Sequence, residues 1–283
     1  MGAPVLSDLR AADIAAGGEG APLMPLFDRA WLGAEADASG RPIATVNLGG
    51  IANVQLVRPG GDVVAFDSGP GNGLIDAVVS RATDGASAYD DGGRLASSGR
   101  VDDRLLDELL GHPYLAAPAP KSTGRETFDL GVVDRAVAAS GVESLALEDL
   151  VATLTELTAR TVVDAILAAA AGADAPAVLV CSGGGALNPA LLARIADRAA
   201  RHGIAVETSD ARGIDPSFKE SLMFAFLGFL SWHGVPARIT SDGAGEPRVA
   251  GRFTPGPTPL HLPPPLAGVA SVIITSTDPG GPQ

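Results

Sequence analysis

The chain has 283 residues, 46% of them hydrophobic, and a net charge of −13 from 20 basic and 33 acidic side chains. That length suits one large or two modest domains with a sizeable core, and the apolar content excludes global disorder. The acidic balance shows no basic face for nucleic acid, and the lone cysteine, Cys181, has no partner for a disulfide.

At the start of the chain, Asp8, Arg10 and Asp13 stand where a secretion signal would need an apolar core. Pro4 to Asp8 reads as the end of a strand, Gly17 to Pro22 as a loop and Leu23 to Leu32 as a short helix. Residues 43–48, 51–57 and 63–66 then give three consecutive strands with short turns. Asn72 to Ala82 reads as a helix with Leu74, Ile75, Val78 and Val79 on one face. Val101 to Leu110 reads as another, capped by Asp102 or Asp103 and followed by His112-Pro113-Tyr114. Ala117 to Glu126 carries prolines at 118 and 120 and reads as an irregular loop. Leu147 to Ala171 has the clearest helical periodicity, with Gly172 as its stop. Val162 to Val180 is broken by Asp164, Gly172, Asp174 and Pro176, so it is a buried helix and a strand rather than a membrane span. Ala177 to Cys181 is an apolar strand suited to a parallel sheet. A helix at 189–200, a strand at 204–207 and a helix at 217–232 follow. Beyond Thr254 the chain is Pro-rich, and residues 257–283 are expected to be a disordered tail. Three antiparallel strands followed by helix, strand and helix is the order of a ribonuclease-H-like α/β unit. A cytoplasmic protein is expected, with no nucleic-acid or membrane partner.

Four segments could carry chemistry. Asn47-Leu48-Gly49-Gly50 could cradle a nucleotide phosphate on backbone N–H groups, or be an ordinary tight hairpin. Asp67 follows the strand Val63 to Phe66 and enters the loop Ser68-Gly69-Pro70-Gly71-Asn72. A strand-end carboxylate facing a cleft can act as a general base, and the plainer reading is a turn or capping aspartate. Asp76, on the next helix, reads as a solvated or capping charge. Gly183-Gly184-Gly185, with Asn188, sits between a buried strand and a helix, where backbone can approach a ligand closely. The alternative there is a flexible connection. Lys121-Ser122-Thr123-Gly124-Arg125-Glu126 could meet a sugar or phosphate, or be a solvated polar loop. Glu220 opens an otherwise apolar helix, either at its wet edge or pointed into a site. The four histidines are scattered, with no metal-ligand spacing.

As an ordered set these segments resemble the anhydro-N-acetylmuramic acid kinase family. The most specific are the Pro-flanked Lys121 to Glu126 run and the loop from Asp67 to Asn72; Asn47 to Asn53, Gly183 to Asn188, Gly213-Ile214-Asp215 and Lys219-Glu220 also match, over roughly residues 3–256. The resemblance implies an actin-like ATPase (ribonuclease-H-like) α/β fold and use of ATP and Mg²⁺. It implies opening of the 1,6-anhydro bridge of the amino sugar with phosphorylation of O6, a step of peptidoglycan recycling. Asp67 takes the place of the family's catalytic aspartate. Glu220, Asp13 and Arg125 fall to the sugar side. Asn47, Gly49, Gly50, Gly183, Gly184, Gly185 and Asn188 fall to the nucleotide side, with Gly184 nearest the adenine or ribose. Leu9, Glu19, Ser68 and Ser182 depart from the family pattern without removing a needed charge.

Family members begin with a lobe carrying a phosphate loop, and Met1 stands where they are mid-chain. This chain is therefore expected to be mainly the C-terminal lobe, with the N-terminal lobe largely missing. It is expected to show little kinase activity until that lobe is restored in cis, and to expose Val5, Leu6, Leu23 and Leu26. Two protein partners stay open: a second copy of the chain, as a homodimer, and a separate N-terminal polypeptide. The competing readings are a sugar- or nucleotide-binding or interaction module without turnover, and another actin-like sugar kinase.

Overall fold

The computed structural model describes residues 3–15, 17, 20, 22–124, 126–142, 144–170, 175–237 and 247–275. A short strand β1 (Val5–Ser7) and helix α1 (Leu9–Ala15) lead into α2 (Met24–Ser39). The strands β2 (Ile43–Leu48), β3 (Ile51–Val57) and β4 (Val63–Pro70) follow. Next come α3 (Gly73–Ala82), α4 (Arg94–Ser98), α5 (Asp103–Leu110), α6 (Pro113–Ala116), α7 (Leu130–Ser140) and α8 (Leu147–Ala169). The chain continues with β5 (Val178–Ser182), α9 (Pro189–Ala200), β6 (Ala205–Thr208), α10 (Lys219–Trp232) and β7 (Arg252–Thr254).

The expected α/β unit is present as a five-stranded mixed sheet in the order β4-β3-β2-β5-β6. The first three strands form an antiparallel meander, and β5 and β6 run parallel to β2. Ala44, Val46, Leu48, Val54, Leu56, Phe66, Leu179 and Cys181 alternate onto one face and pack under α8 and α9. Burial pushes the Cys181 thiol up to about 12, against a smaller opposing effect of Lys219. The other face meets α2 through Ile43, Val57, Val178 and Val180 with Leu32 and Ala36. Helices α3, α5 and α7 form a second apolar cluster with the N-terminal half of α8.

Several element ends follow local rules. Asp102 caps α5 by accepting from the Leu105 N–H at 3.0 Å, and Asn188 caps α9 by accepting from Ala190 and Leu191. The predicted helix at 23–32 continues to Ser39 and ends on Gly40 in the left-handed region. The fragment at residues 4–8 does find a pairing partner: β1 is antiparallel to β7, from the opposite end of the sequence. Val5 is half exposed, as expected, but Leu23 is buried. It packs with Phe27 and Ala30 against Met223, Phe226, Leu227 and Leu230 of α10, which covers that side of α2. Gly172, the expected helix stop, lies outside the described residues. Residues 255–275 have no regular secondary structure, yet Val269, Val272 and Ile274 pack on this third cluster, and the Val272 N–H donates to the Ala30 carbonyl at 2.8 Å. Residues 276–283 of the expected tail lie outside the described residues. Among the described residues no helix is long and apolar enough to cross a membrane.

The loop after β4 folds against the Gly49-Gly50 turn. N–H groups of Gly71 and Gly73 donate to the Gly50 carbonyl, and that of Asn72 donates to Gly49. A Cβ on residue 71 would stand 2.1 Å from the Gly49 carbonyl oxygen, which neither backbone can yield easily. Gly71→Ala is expected to cost about 1–3 kcal/mol of stability by overpacking. Gly228→Ala, in α10 with open space beyond it, should gain about 0.5–1 kcal/mol from helix propensity. Urea midpoints of the two variants check this pair; an unchanged midpoint for Gly71→Ala would show that the two loops are not locked together.

Candidate functional site

The α2-facing side of the sheet changes character along the strands. Ile43 and Val57 at one end are apolar, and the residues two and four steps on are Thr45 and Asn47 on β2 and Gln55 and Asn53 on β3. The register pairs Thr45 with Gln55, Asn47 with Asn53 and Asn53 with Asp67. A bulge at Ala52/Asn53 leaves Ser68 as the extra residue on β4, so Asp67 and Asn53 are opposed on the polar end of this face.

Asp67 is 9% exposed and held from several directions. Its Oδ1 accepts from Asn53 Nδ2 at 2.6 Å, and its Oδ2 accepts from the Thr123 N–H at 2.9 Å. Its own N–H donates to the Lys121 carbonyl at 2.9 Å, and its carbonyl accepts from the Tyr114 hydroxyl at 2.8 Å. Lys121 Nζ donates to the carbonyls of Tyr114 and Leu115 and lies over the Tyr114 ring. Burial, and then the charge of Asp67, drives the Tyr114 hydroxyl well above the usual phenol range; burial lowers Lys121. The Pro-flanked loop, irregular as expected, is thus fastened onto the end of β4. The carboxylate has one donor on each oxygen and a fixed orientation, with lone pairs left over to take a proton.

The glycine junction after β5 divides its labour. Gly183, at φ +84°, lies against β2: a Cβ there would meet Asn47 Oδ1 at 2.3 Å, and one on Gly185 would meet Leu48 Cβ at 2.8 Å. The position of Gly184 is open, with only Asn72 Nδ2 near, at 3.9 Å. Asn72 Oδ1 and Thr123 Oγ1 are buried polar atoms without a hydrogen-bond partner among the described residues. Gly49 and Gly50 turn their carbonyls to the 71–73 loop, and Asn188 spends its Oδ1 on the α9 cap.

On the predicted sugar side, Asp13 is buried on α1, where its Oδ2 accepts from the Gly20 N–H at 2.8 Å. Glu220 is exposed in the first turn of α10. Arg125 lies outside the described residues. Among the described residues no three His, Cys, Asp or Glu side chains gather as a metal cage. A cavity of about 710 Å³, lined by Phe66, Ser68, Leu115, Lys121 and Thr161, opens on the α8 side of β4, away from the face that carries the Asp67 carboxylate.

Sequence reading missed four members of the polar face: Asp28, Thr45, Gln55 and Lys219 are all buried and hydrogen-bonded to one another. The signal for Thr45 and Gln55 was present, as Thr-Val-Asn on β2 and Asn-Val-Gln on β3 put polar residues at period two inside apolar strands.

Residues 1–256 match the family of anhydro-N-acetylmuramic acid kinase. The protein of that name from Streptomyces coelicolor is 48% identical over 265 residues, which cover 93% of this chain and 64% of the relative. That from Rhodococcus erythropolis is 46% identical over 90% of this chain and 63% of its own length. That from Xanthomonas campestris pv. campestris is 44% identical over 90% and 64%. The chain thus spans about 64% of the length of these curated relatives. A more distant likeness, at TM-score 0.41 and 16% identity, is to the activator of the 2-hydroxyisocaproyl-CoA dehydratase from Clostridium difficile with bound ADPNP; it covers 71% of this chain and 65% of that one.

Tyr114→Phe removes one hydrogen bond to the backbone of Asp67 and leaves the ring in place against Phe128. The expected cost is about 1 kcal/mol of stability, with amide hydrogen exchange rising first at Asp67 and Thr123, whose N–H groups fasten that loop. Exchange rising evenly across the sheet instead would place the effect of the hydroxyl elsewhere.

Proposed function

The chain belongs to the anhydro-N-acetylmuramic acid kinase family, and on that premise we propose that its polar sheet end is the reacting side of an ATP-dependent sugar kinase. The reaction is phosphorylation of 1,6-anhydro-N-acetylmuramic acid on O6 with hydrolytic opening of the anhydro bridge. The observation that carries the reading is the Asp67 carboxylate, held on both oxygens at the end of β4 by Asn53 and Thr123.

In this reading Asp67 accepts a proton from a water molecule whose oxygen bonds to the anomeric carbon. The bond between that carbon and O6 breaks, O6 leaves with the electron pair and takes the γ-phosphoryl group, and the proton held on Asp67 passes to solvent. ATP supplies the phosphoryl group, and Mg²⁺ carried on its phosphates offsets their charge. The open position at Gly184 and the unpartnered Asn72 Oδ1 support a nucleotide against the β5–α9 junction. Asn47, Gly49, Gly50, Gly183, Gly185 and Asn188 shape that side by bringing β2, its hairpin and the α9 N-terminus together. The unpartnered Thr123 hydroxyl beside Asp67 suits a sugar oxygen. Asp13, Arg125 and Glu220 are assigned to the sugar's substituents. The assigned compartment is the cytoplasm.

ATP-dependent formation of N-acetylmuramic acid 6-phosphate tests the reading. It is measured with the 283-residue chain and with a version joined to the segment its relatives carry beyond the matched part. Asp67→Asn should lower turnover on the order of 10²- to 10⁴-fold with an unchanged circular dichroism spectrum. Near-normal turnover would remove Asp67 from the mechanism. Gly184→Val should weaken ATP binding on the order of tenfold, about 1.4 kcal/mol, while sparing the sugar, because the position is open in the folded chain. Titration of each ligand separately decides it, and equal losses for both would contradict a nucleotide contact.

A further inference from the structure

Asp67 stands at the end of a row of polar side chains, half-buried at Asn53 and fully buried beyond it, that continues across the sheet to α10. Lys219 Nζ, in a side chain 3% exposed, lies 2.9 Å from Asp28 Oδ1, 3.0 Å from Asp28 Oδ2 and 3.1 Å from Thr45 Oγ1. Thr45 Oγ1 is 2.8 Å from Gln55 Oε1 and 2.7 Å from Asp28 Oδ2. Gln55 Nε2 donates to Asn53 Oδ1, and Asn53 Nδ2 donates to Asp67 Oδ1. Asp28, Thr45 and Gln55 are fully buried, so water does not substitute for a lost link.

The direction of this row is forced from the Asp67 end. A carboxylate only accepts, so Asn53 must turn its amide nitrogen to Asp67. Its amide oxygen then faces Gln55, which must present nitrogen. The Gln55 oxygen in turn faces Thr45 and needs the hydroxyl proton. Thr45 has one proton and two acceptors in reach, Gln55 Oε1 and Asp28 Oδ2. An unpaired carboxylate would win that contest, since hydrogen bonds to charged groups are the stronger. Lys219 donates to Asp28 Oδ2 and to the Thr45 oxygen, and it meets Asp28 Oδ1 as an ion pair without a hydrogen bond; its charge offsets the pull of the carboxylate on Thr45 and leaves the hydroxyl proton for Gln55.

We propose that Lys219 is a positioning residue for Asp67: by holding Asp28 it directs the Thr45 proton to Gln55, and the one-way chain Thr45–Gln55–Asn53 fixes the carboxylate. This rests on the reading of Asp67 as the base. From its other side Asp67 meets Thr123, Tyr114 and Lys121, which the row does not touch.

The deciding measurement is exchange of the Asn53 side-chain amide protons with solvent, read by ¹⁵N NMR on the 283-residue chain. Thr45→Val keeps the shape and the Lys219–Asp28 pair but removes the proton. It should speed that exchange on the order of tenfold or more, and Thr45→Ser should restore the slow rate. Lys219→Met should speed it as well, because Thr45 then turns to the stranded Asp28. The double variant Lys219→Met with Asp28→Leu should restore protection, since Gln55 is again the only acceptor for Thr45. In a version with turnover, Thr45→Val should lower kcat on the order of tenfold with KM unchanged. Wild-type exchange in Thr45→Val, or continued fast exchange in a folded double variant, overturns the proposal. If Asn53 responds as described while Asp67→Asn retains full turnover, the row stands as structure and the catalytic reading of Asp67 falls instead.

Discussion

A charge pair taken out of water holds the rest of this structure in place. Removing an ammonium and a carboxylate from solvent costs several kcal/mol for each ion, and leaving one without the other costs about 3–5 kcal/mol. Lys219 and Asp28 therefore favour the arrangement of α10 and α2 that keeps them paired. Lys219 is the first residue of α10, Asp28 sits in the N-terminal third of α2, and Thr45 joins both to the central strand. α10 has apolar residues around its whole circumference; Met223 and Leu227 are buried while Phe224 and Phe229 remain largely exposed. Burial alone gives such a helix little preference for one rotation about its axis. One cation with one matching anion supplies the preference.

The same arrangement explains how one sheet face can be core at one end and a candidate site at the other. At Ile43, Val57 and Val178 it is sealed by Leu32 and Ala36 of α2. Two residues along β2 and β3 the side chains become polar, and from there every polar atom needs a partner. The partners come from far apart in sequence: Asn53 lies 14 residues before Asp67, Thr123 56 residues after it, and Lys219 174 residues after Thr45. Loops supply the remainder by close backbone approach at Gly71 and Gly183, where no side chain fits. Polar satisfaction, more than shape, decides where these loops lie.

Much of the fold could be read directly. The meander, α8, the apolar β5 and the Pro-started α9 came from period, turn chemistry and capping, which are local signals. What escaped was non-local. β7 is three residues long and exists because β1 pairs with it across the whole chain. The 117–124 loop reads as solvated polar sequence, and nothing in it announces that it fastens Asp67 from behind. Asp67 itself was legible as a strand-end carboxylate before a glycine loop. Its supporting row was half legible, in the alternation of Thr45, Asn47, Asn53 and Gln55. Lys219 and Asp28 were not, because a lone charge in an apolar helix gives no sign of its partner's place. Both lysines of the chain, Lys121 and Lys219, lie in this neighbourhood, so their scarcity does not mark them as incidental.

α8 has a role that its packing alone does not state. Its 23 residues make a rod about 34 Å long. The N-terminal half, with Val151, Leu154 and Leu157, belongs to the helical cluster, and the C-terminal half, with Val162, Val163 and Ile166, belongs to the sheet. At the crossover Thr158 donates to the Gly71 carbonyl at 2.7 Å, in the loop that follows Asp67. A continuous hydrogen-bonded rod does not flex at its middle without breaking its own ladder. The helical cluster and the sheet must therefore move as one mechanical body, with Gly71 pinned to its fulcrum. A force applied to α5 or α7 would pass along α8 to Gly71 and so to the loop that follows Asp67.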